Sequence, residues 1–392
     1  MIEPVSSAPP RRASHAIILQ VVPTLKQGGV ERTTIDIARA LHHEGFAPIV
    51  ASEGGAMEKE LSYTGAILEK LPVASKNPII VLINALRLSS LIRRKNISLI
   101  HARSRAPAWS ALLAARLTRI PFVTTYHGIY NATNPLKRWY NSVMARGDVV
   151  IANSKWTAEH IKETYGFKPK LLAIIPRGIE LDRFNPTLVS KEDVALLREH
   201  WSRGERNAFI VLLPGRMTRW KGHLVLIAAL AKLLAAERMP PNLRVIIIGD
   251  DSNAAYVDEL RAAVATNGLG DIVTLDGPHD DMPAVYQASD LVVSASIDPE
   301  AFGRVIAEAS AMAKPVVATD HGGAKETILA NKSGFLVKPG DIGALAQAIL
   351  DVWAMPASQR AVMGQAGQVH IANRYALERM CRDTLSLYSK LL

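Results

Sequence analysis

One pattern constrains the fold more than any other, and it occurs twice. Short apolar runs alternate with longer stretches of helical spacing from Ala16 to Arg177, and the alternation starts again at Phe209 and continues to Val337. Buried strands of a parallel sheet are typically short apolar runs, and each connection between them needs its own helix. The pattern therefore predicts an α/β protein with two domains, each a Rossmann-like parallel sheet covered by helices.

The break between the two series sets the domain boundaries. Asn185-Pro186 is followed by a charged stretch without strand or helix periodicity. We predict a disordered leader over 1–14, an N-terminal domain over 15–185, a linker over 186–207, a C-terminal domain over 208–375 and a terminal helical segment over 376–392. The length of 392 residues agrees, because one hydrophobic core seldom grows beyond about 300 residues.

Cysteine content and hydropathy exclude several classes of protein. The chain has one cysteine, Cys381, so neither an intrachain disulfide nor a cysteine metal cluster can form. No apolar run approaches the roughly 18 residues of a membrane-spanning helix. These features predict a cytoplasmic protein.

The positive charge is concentrated in the first half. Residues 1–185 hold 25 Lys and Arg against 13 Asp and Glu, which is +12, while the remainder holds 21 against 23, which is −2. Arg87 to Arg119 contains no acidic residue. The candidates for contact with an anionic acceptor or membrane in this segment are Arg93, Arg94, Lys95, Arg103 and Arg105.

A basic surface can attract anionic lipid or nucleic acid. Nucleic acid is not favoured, because the sequence has no zinc-finger spacing, no aromatic RNA-binding strand motif and no convincing recognition helix. We therefore predict an anionic membrane surface as a partner. A solvated basic face is the alternative.

Two carboxylates mark the strongest candidate site. Glu300 follows the apolar run 291–293 at a strand-to-helix corner, and Glu308 lies eight positions on, within the next predicted helix. Each carboxylate can accept hydrogen bonds from neighbouring hydroxyls of a sugar. The alternative is a helix-capping acid and a solvated glutamate.

Two loops could bind phosphate. Gly28 and Gly29 follow the first strand and open a helix, where backbone N–H groups are free, although a simple tight turn is the alternative. Arg216 and Lys221, in the loop Gly215–Gly222 after the first strand of the second domain, could hold a diphosphate, unless they form a solvated basic loop. The dinucleotide and P-loop fingerprints are both absent.

Two further loops follow predicted strands. His127 lies just past a strand of the N-terminal domain, where a catalytic and a structural role are both open. Gly322 and Gly323 offer backbone N–H groups at a helix start. Ligands bind beyond the carboxyl ends of the strands in open parallel sheets, so we expect these loops to line a cleft between the two domains.

Taken together, these motifs resemble the retaining glycosyltransferases of family 4. The resemblance rests on G-G after the first strand, G-R-x-x-x-x-K-G, E-x7-E in the form E-A-F-G-x-x-x-x-E-A, and G-G-x-x-E, and it spans nearly the whole chain. It implies the GT-B fold, in which the N-terminal domain binds the acceptor, the C-terminal domain binds a nucleotide-sugar, and a final helix, here 376–392, crosses back to the N-terminal domain.

The resemblance also implies a role for each site residue. Arg216 and Lys221 would bind the donor diphosphate, and Glu308 the ribose. Glu300, with the backbone of Phe302 and Gly303, would bind the transferred hexose. Gly29 would approach the diphosphate or the sugar, and His127 the sugar near the reaction centre.

The family works without a metal or cofactor and needs no protein nucleophile, because the departing phosphate helps to deprotonate the acceptor. The sequence agrees in having no D-x-D motif. Enzymes of lipopolysaccharide core or surface glycans are the most similar, several of them hexosyl or mannosyl transferases. We therefore expect transfer to a glycolipid or polysaccharide precursor at the cytoplasmic membrane face. A nucleotide-sugar 2-epimerase and a non-catalytic nucleotide-sugar-binding protein are the alternatives. Arg304, where the family commonly has an aliphatic residue, has no assigned role.

Overall fold

The computed structural model describes residues 16–26, 28–130, 134–165 and 169–392. The predicted leader 1–14 lies outside them. The chain forms two compact units. The first contains the described residues up to Gly178 together with Leu377–Leu392, and the second contains Ile179–Ala376.

The first unit is a parallel seven-stranded sheet with strand order β3-β2-β1-β4-β5-β6-β7. Its strands are β1 (Ile17–Val21), β2 (Ala47–Ser52), β3 (Ile67–Lys70), β4 (Ile97–Ala102), β5 (Phe122–Tyr126), β6 (Val149–Ala152) and β7 (Leu171–Ile174). Its first helices are α1 (Gly29–His43), α2 (Glu58–Ser62), α3 (Pro78–Lys95), α4 (Arg105–Thr118), α5 (Pro135–Asn141) and α6 (Lys155–Tyr165).

The second unit is a parallel six-stranded sheet with strand order β10-β9-β8-β11-β12-β13. Helix α7 (Lys191–Ser202) precedes its strands, which are β8 (Phe209–Pro214), β9 (Leu243–Ile248), β10 (Val273–Leu275), β11 (Leu291–Ser294), β12 (Val316–Thr319) and β13 (Gly334–Val337). The other helices are α8 (His223–Ala235), α9 (Ala254–Thr266), α10 (Met282–Ala288), α11 (Arg304–Ala311), α12 (Ile342–Ala354) and α13 (Ala357–Tyr375). The final helix α14 (Leu377–Ser389) belongs to the first unit.

The central strands of both sheets are buried on two faces, which is why they are largely apolar. Along β8, Val211 and Leu213 enter one hydrophobic core while Ile210 and Leu212 enter another on the opposite face. Successive side chains of a strand point to opposite faces, so each face needs its own layer of helices. The prediction of two Rossmann-like parallel-sheet domains is confirmed.

The strand orders fix where a ligand can bind in each unit. In both sheets the chain runs outward from a central strand and then returns to the other side of it, so the order reverses between β1 and β4 and again between β8 and β11. The loops at the carboxyl ends of these neighbouring strands separate and leave a crevice. The loops after β8 and β11 carry Lys221 and Glu300.

The stretch 186–207, predicted as a linker, is a folded part of the second unit. Ser190 caps α7 by accepting a hydrogen bond from the backbone N–H of Asp193, at 3.2 Å. Trp201 near the other end of the helix is fully buried, and its indole N–H donates to Asp276, at 2.6 Å. The helix was not predicted because its exposed face is strongly charged and Trp201 is its one large buried side chain.

Trp201 provides a stability test of α7. We expect Trp201→Ala to destabilise the protein by about 4 kcal/mol, because it leaves a large cavity and removes one hydrogen-bond partner of Asp276. Leu196 lies on the same helix but is exposed, so Leu196→Ala should change the free energy of unfolding by less than about 0.5 kcal/mol. Urea unfolding measures both. Equal effects would show that α7 is not packed on the second unit.

Among the residues that the structure describes, none of the helices combines the length and the apolar character that a membrane crossing requires.

Candidate active site

An ion pair lies at the strand-order reversal of the second unit. Lys221 ends a short 3-10 turn after β8, and its Nζ is 2.9 Å from Oε1 of Glu300, which follows β11. Both side chains are only 11% exposed. The two residues are 79 positions apart in sequence, and the pairing of β8 with β11 brings their loops together.

Two serines complete the surroundings of Glu300. Oε1 accepts hydrogen bonds from Ser296 at 2.7 Å and from Ser294 at 3.4 Å. Burial by itself would raise the pKa of Glu300, but the Lys221 ammonium and the three hydrogen bonds outweigh it and bring that pKa below its ordinary value of 4.5. Glu300 is therefore an ionised carboxylate held by three neighbouring side chains, and it can accept hydrogen bonds from hydroxyls.

The pKa of Glu300 predicts a pH dependence. Because its pKa is lower in the folded state than in the unfolded chain, Glu300 stabilises the fold above pH 4.5, and this contribution is lost as the pH falls through the folded-state pKa. We expect the difference in unfolding free energy between the wild type and Glu300→Gln to shrink between about pH 6 and pH 3. Chemical denaturation across this range measures it. The exposed Glu192→Gln is the control, and a constant difference for Glu300→Gln would contradict the assignment.

The glycines after the strands keep the loops in place. Gly222, with φ of 75°, lies against the backbone of Ala295, and a Cβ there would overlap the carbonyl oxygen of that residue. Gly322, with φ of 65°, lies against the backbone of Glu300, where a Cβ would be 2.4 Å from the carbonyl oxygen. The N–H of Gly323 already donates to the carbonyl oxygen of Glu300, at 2.6 Å. This N–H fixes the Glu300 loop, which corrects the expectation that it is free for a ligand.

Glu308 has partners on both of its oxygens. On α11, Oε1 accepts from Nε of Arg304 at 2.5 Å, and Oε2 accepts from the hydroxyl of Tyr286 at 3.0 Å. Burial raises the pKa of Tyr286 well above 10, and the neighbouring Glu308 adds to the effect. The phenol therefore stays protonated and donates a hydrogen bond to Glu308. Arg304, which had no role on sequence grounds, therefore holds the carboxylate assigned to the ribose.

The other predicted site residues of the second unit differ in exposure. Arg216 follows β8 and is exposed, and its guanidinium has no side-chain hydrogen bond or ion pair within the described ranges. Phe302 is buried and packs edge to face against Tyr375, with ring centroids 5.6 Å apart. Gly303, with φ of 85°, begins α11 in the left-handed conformation that glycine adopts readily. The Phe302 side chain thus anchors the loop in the core, and only the backbone of Phe302 is available to bind a ligand.

The first unit brings His127 together with Arg177, which belongs to none of the predicted motifs. Nδ1 of His127 is 3.2 Å from Nη2 of Arg177, and a Cβ on Gly29 would meet Nη1 of the same arginine at 2.5 Å. Nε2 of His127 is buried and has no partner among the described residues. Burial, Arg177 and Arg103 lower the pKa of His127 well below 6.5, so the ring is neutral at pH 7 and Nε2 can bond to a hydroxyl. Gly28 precedes the first turn of α1 and bears the N-cap position.

The basic residues proposed for an acceptor or membrane separate into two groups. Arg103 is 2% exposed and donates from Nε to Gln20 at 2.7 Å, so its assignment to a membrane surface is wrong. Arg105 donates to Asn141 at 2.8 Å and lies over the ring of Tyr130. Arg93, Arg94 and Lys95 are exposed in the last turn of α3. Arg103 follows a buried strand, and its position at the strand-order reversal turns it inward.

Comparisons with known proteins agree with the fold. The model of Glycosyltransferase Family 4 matches residues 27–183, and that of Glycosyl transferases group 1 matches residues 198–370. A crystal structure of a glycosyltransferase from Rickettsia africae ESF-5 is 37% identical, covers 96% of this chain and 98% of its own, and superposes with a TM-score of 0.86. The two Rossmann-like parallel sheets match the GT-B fold of this glycosyltransferase. The chain belongs to glycosyltransferase family 4, and the predicted enzyme class is confirmed.

Two curated relatives resemble the chain over part of their length. D-inositol 3-phosphate glycosyltransferase of Segniliparus rotundus is 30% identical over 69% of this chain and 61% of its own length. GDP-mannose-dependent alpha-(1-6)-phosphatidylinositol monomannoside mannosyltransferase of Mycolicibacterium smegmatis is 31% identical over 56% of each chain. The chain thus spans less than two thirds of both.

Proposed function

We propose that this glycosyltransferase moves a hexose from a nucleoside-diphosphate sugar to an anionic, lipid-linked acceptor, with retention of configuration and without a metal ion. The observation that carries the proposal is the buried pair of Lys221 and Glu300, because it joins a cation for a phosphate to an acceptor for sugar hydroxyls. The proposed place of action is the cytoplasmic membrane face, with a glycolipid or polysaccharide precursor as acceptor.

The donor half of the proposal rests on the second unit. The positive charges of Lys221 and Arg216 would stabilise the diphosphate as it leaves, which is the role a metal ion has in other transferases. Among the described residues, no group of three or more His, Cys, Asp and Glu side chains is arranged to hold a metal, and metal independence stays a proposal. The GDP-mannose dependence of the mycobacterial relative supports a nucleotide-sugar donor.

The acceptor half rests on charge and on the two relatives. Their names give a phosphorylated inositol and a phosphatidylinositol mannoside as acceptors, and both are anionic. The +12 charge of residues 1–185 suits such an acceptor. The neutral ring of His127, fixed at Nδ1 by Arg177, would present Nε2 to a hydroxyl of the transferred sugar. A lipopolysaccharide-core precursor remains a candidate within this acceptor class.

Donor binding tests the proposal. We expect one of UDP-glucose, UDP-galactose, GDP-mannose or ADP-glucose, in large excess, to raise the melting temperature by about 3 °C or more, because a ligand of the native state stabilises it. Lys221→Ala should lose this shift. Arg219→Ala is the matched control, since this cation lies on the same turn but is exposed and pairs with Glu259.

Two results would overturn the proposal. The first is a melting temperature that none of the nucleotide-sugars changes. The second is conversion of the donor alone to a 2-epimer, which would identify an epimerase and is detected by product analysis without acceptor.

A further inference from the structure

Helix α3 presents an unusual exposed face. Ile79, Leu82, Ile83 and Leu86 are 68%, 57%, 43% and 65% exposed, and their spacing of three and four places them on one side of the helix. Single exposed apolar side chains are ordinary on a protein surface. Four large aliphatic side chains on two consecutive turns form a contiguous patch, which is typical of an interaction surface.

The same face becomes basic along the helix. Arg87, Ser90, Arg93 and Arg94 continue the rows of the four aliphatic residues and are exposed. Beside them is an open cavity of ≈ 180 Å³, lined by Glu69, Leu71, Arg87, Ser90, Leu91 and Arg94. Two guanidinium groups and a hydroxyl at one cavity suit a phosphate.

The charge of the chain segment that contains this face indicates the kind of partner. From Lys70 to Arg146 the sequence contains 13 Lys and Arg and no Asp or Glu. Glu69, on the strand side of the cavity, is the acidic residue at its edge, and it can accept from a headgroup hydroxyl or ammonium. A surface that is apolar on one side of a basic cavity matches the acyl boundary and the phosphates of a bilayer.

We infer that α3 docks on an anionic phospholipid bilayer, with the four aliphatic side chains at the acyl boundary and a lipid phosphate between Arg87 and Arg94. The inference rests on the lipid-linked acceptor of the proposed function and names the face that meets the lipid. The apolar patch distinguishes it from attraction by charge alone, since a solvated basic face needs no exposed leucine or isoleucine.

Vesicle co-sedimentation of the full chain tests the apolar patch. The wild type should bind phosphatidylcholine vesicles containing about a third phosphatidylglycerol, and hardly bind pure phosphatidylcholine. The double variant Leu82→Ser, Leu86→Ser should bind at least about tenfold more weakly. Val362→Ser, Val369→Ser is the matched control, because these exposed side chains lie on α13 of the second unit, and it should bind as the wild type does.

A second double variant tests the cavity. Arg87→Gln, Arg94→Gln should weaken binding about tenfold and reduce its salt dependence. Lys191→Gln, Arg206→Gln removes two exposed cations of the second unit and should have little effect. Melting curves identify variants that fail to fold.

Three results would overturn the inference. The first is equal binding of the wild type to neutral and anionic vesicles, and the second is unchanged binding of the Leu82→Ser, Leu86→Ser variant. The third is a wild-type dimer in light scattering that this variant abolishes, because the patch would then belong to an interface with a second copy of the chain. Vesicle binding that the leucine pair loses supports the inference even if no sugar transfer is found. Transfer by a wild type that does not bind vesicles overturns the inference and leaves the proposed function standing.

Discussion

Lys221→Ala is expected to lower kcat/KM for sugar transfer by about 10² to 10³-fold, and Glu300→Ala by a similar factor. The lysine variant loses the cation that would stabilise the leaving diphosphate, and the glutamate variant loses the carboxylate that orients this cation and would accept sugar hydroxyls. Steady-state kinetics with the donor found by thermal shift measure both. Near-normal turnover of both variants would contradict the site assignment.

Loss of folding must be separated from loss of chemistry in these variants. Removing one partner of a nearly buried pair leaves the other charge uncompensated, which costs about 3 kcal/mol. The double variant Lys221→Met, Glu300→Gln removes both charges and should recover most of the stability. Its activity should stay low. Recovery of activity together with stability would mean that the pair serves folding alone.

Gly222→Ala is expected to destabilise the protein by about 3 kcal/mol or more and to abolish donor binding. The residue has φ of 75°, which is unfavourable for alanine, and the added methyl group would overlap the carbonyl oxygen of Ala295. Relief of this overlap would separate the Lys221 loop from the loop after β11. Unfolding free energy and donor-induced thermal shift measure the two effects.

Substitution of Gly204 separates the effect of an unfavourable φ from the effect of the close contact with Ala295. Gly204 also has a left-handed φ, 85°, but nothing lies within 4 Å of an added Cβ. Gly204→Ala should therefore cost only about 1 kcal/mol and leave donor binding intact. If both variants behave alike, backbone strain alone explains the effect and the close approach of the loops is unimportant.

Local patterns in the sequence were sufficient for several features. The alternation of apolar runs with helical spacing identified both sheets, because a strand buried on two faces and an amphipathic helix leave different periodicities. The positions of the loops with Arg216, Lys221, Glu300 and His127 followed from the same strands. The unusual composition of these loops then indicated the family.

Other features depended on contacts between distant residues. Trp201 and its helix were missed because the exposed face of α7 is strongly charged, and Arg177 was missed because it belongs to no recognised motif. Ser294, Ser296 and Tyr286 are ordinary residue types whose role arises only from their neighbours. Local signals for α7 were present in the capping serine at 190 and in the acidic first turn, Glu192 and Asp193.

The sequence by itself determined the class of fold, the order of its elements and the loops that carry the chemistry, since each depends on a short window of residues. Only the tertiary structure decided that Lys221 pairs with Glu300, that Tyr286 donates to Glu308, and that Arg103 turns inward while α3 leaves an apolar and basic face exposed. These outcomes depend on which strands are neighbours and on their register. Strand pairing joins residues tens of positions apart, and no local periodicity records it.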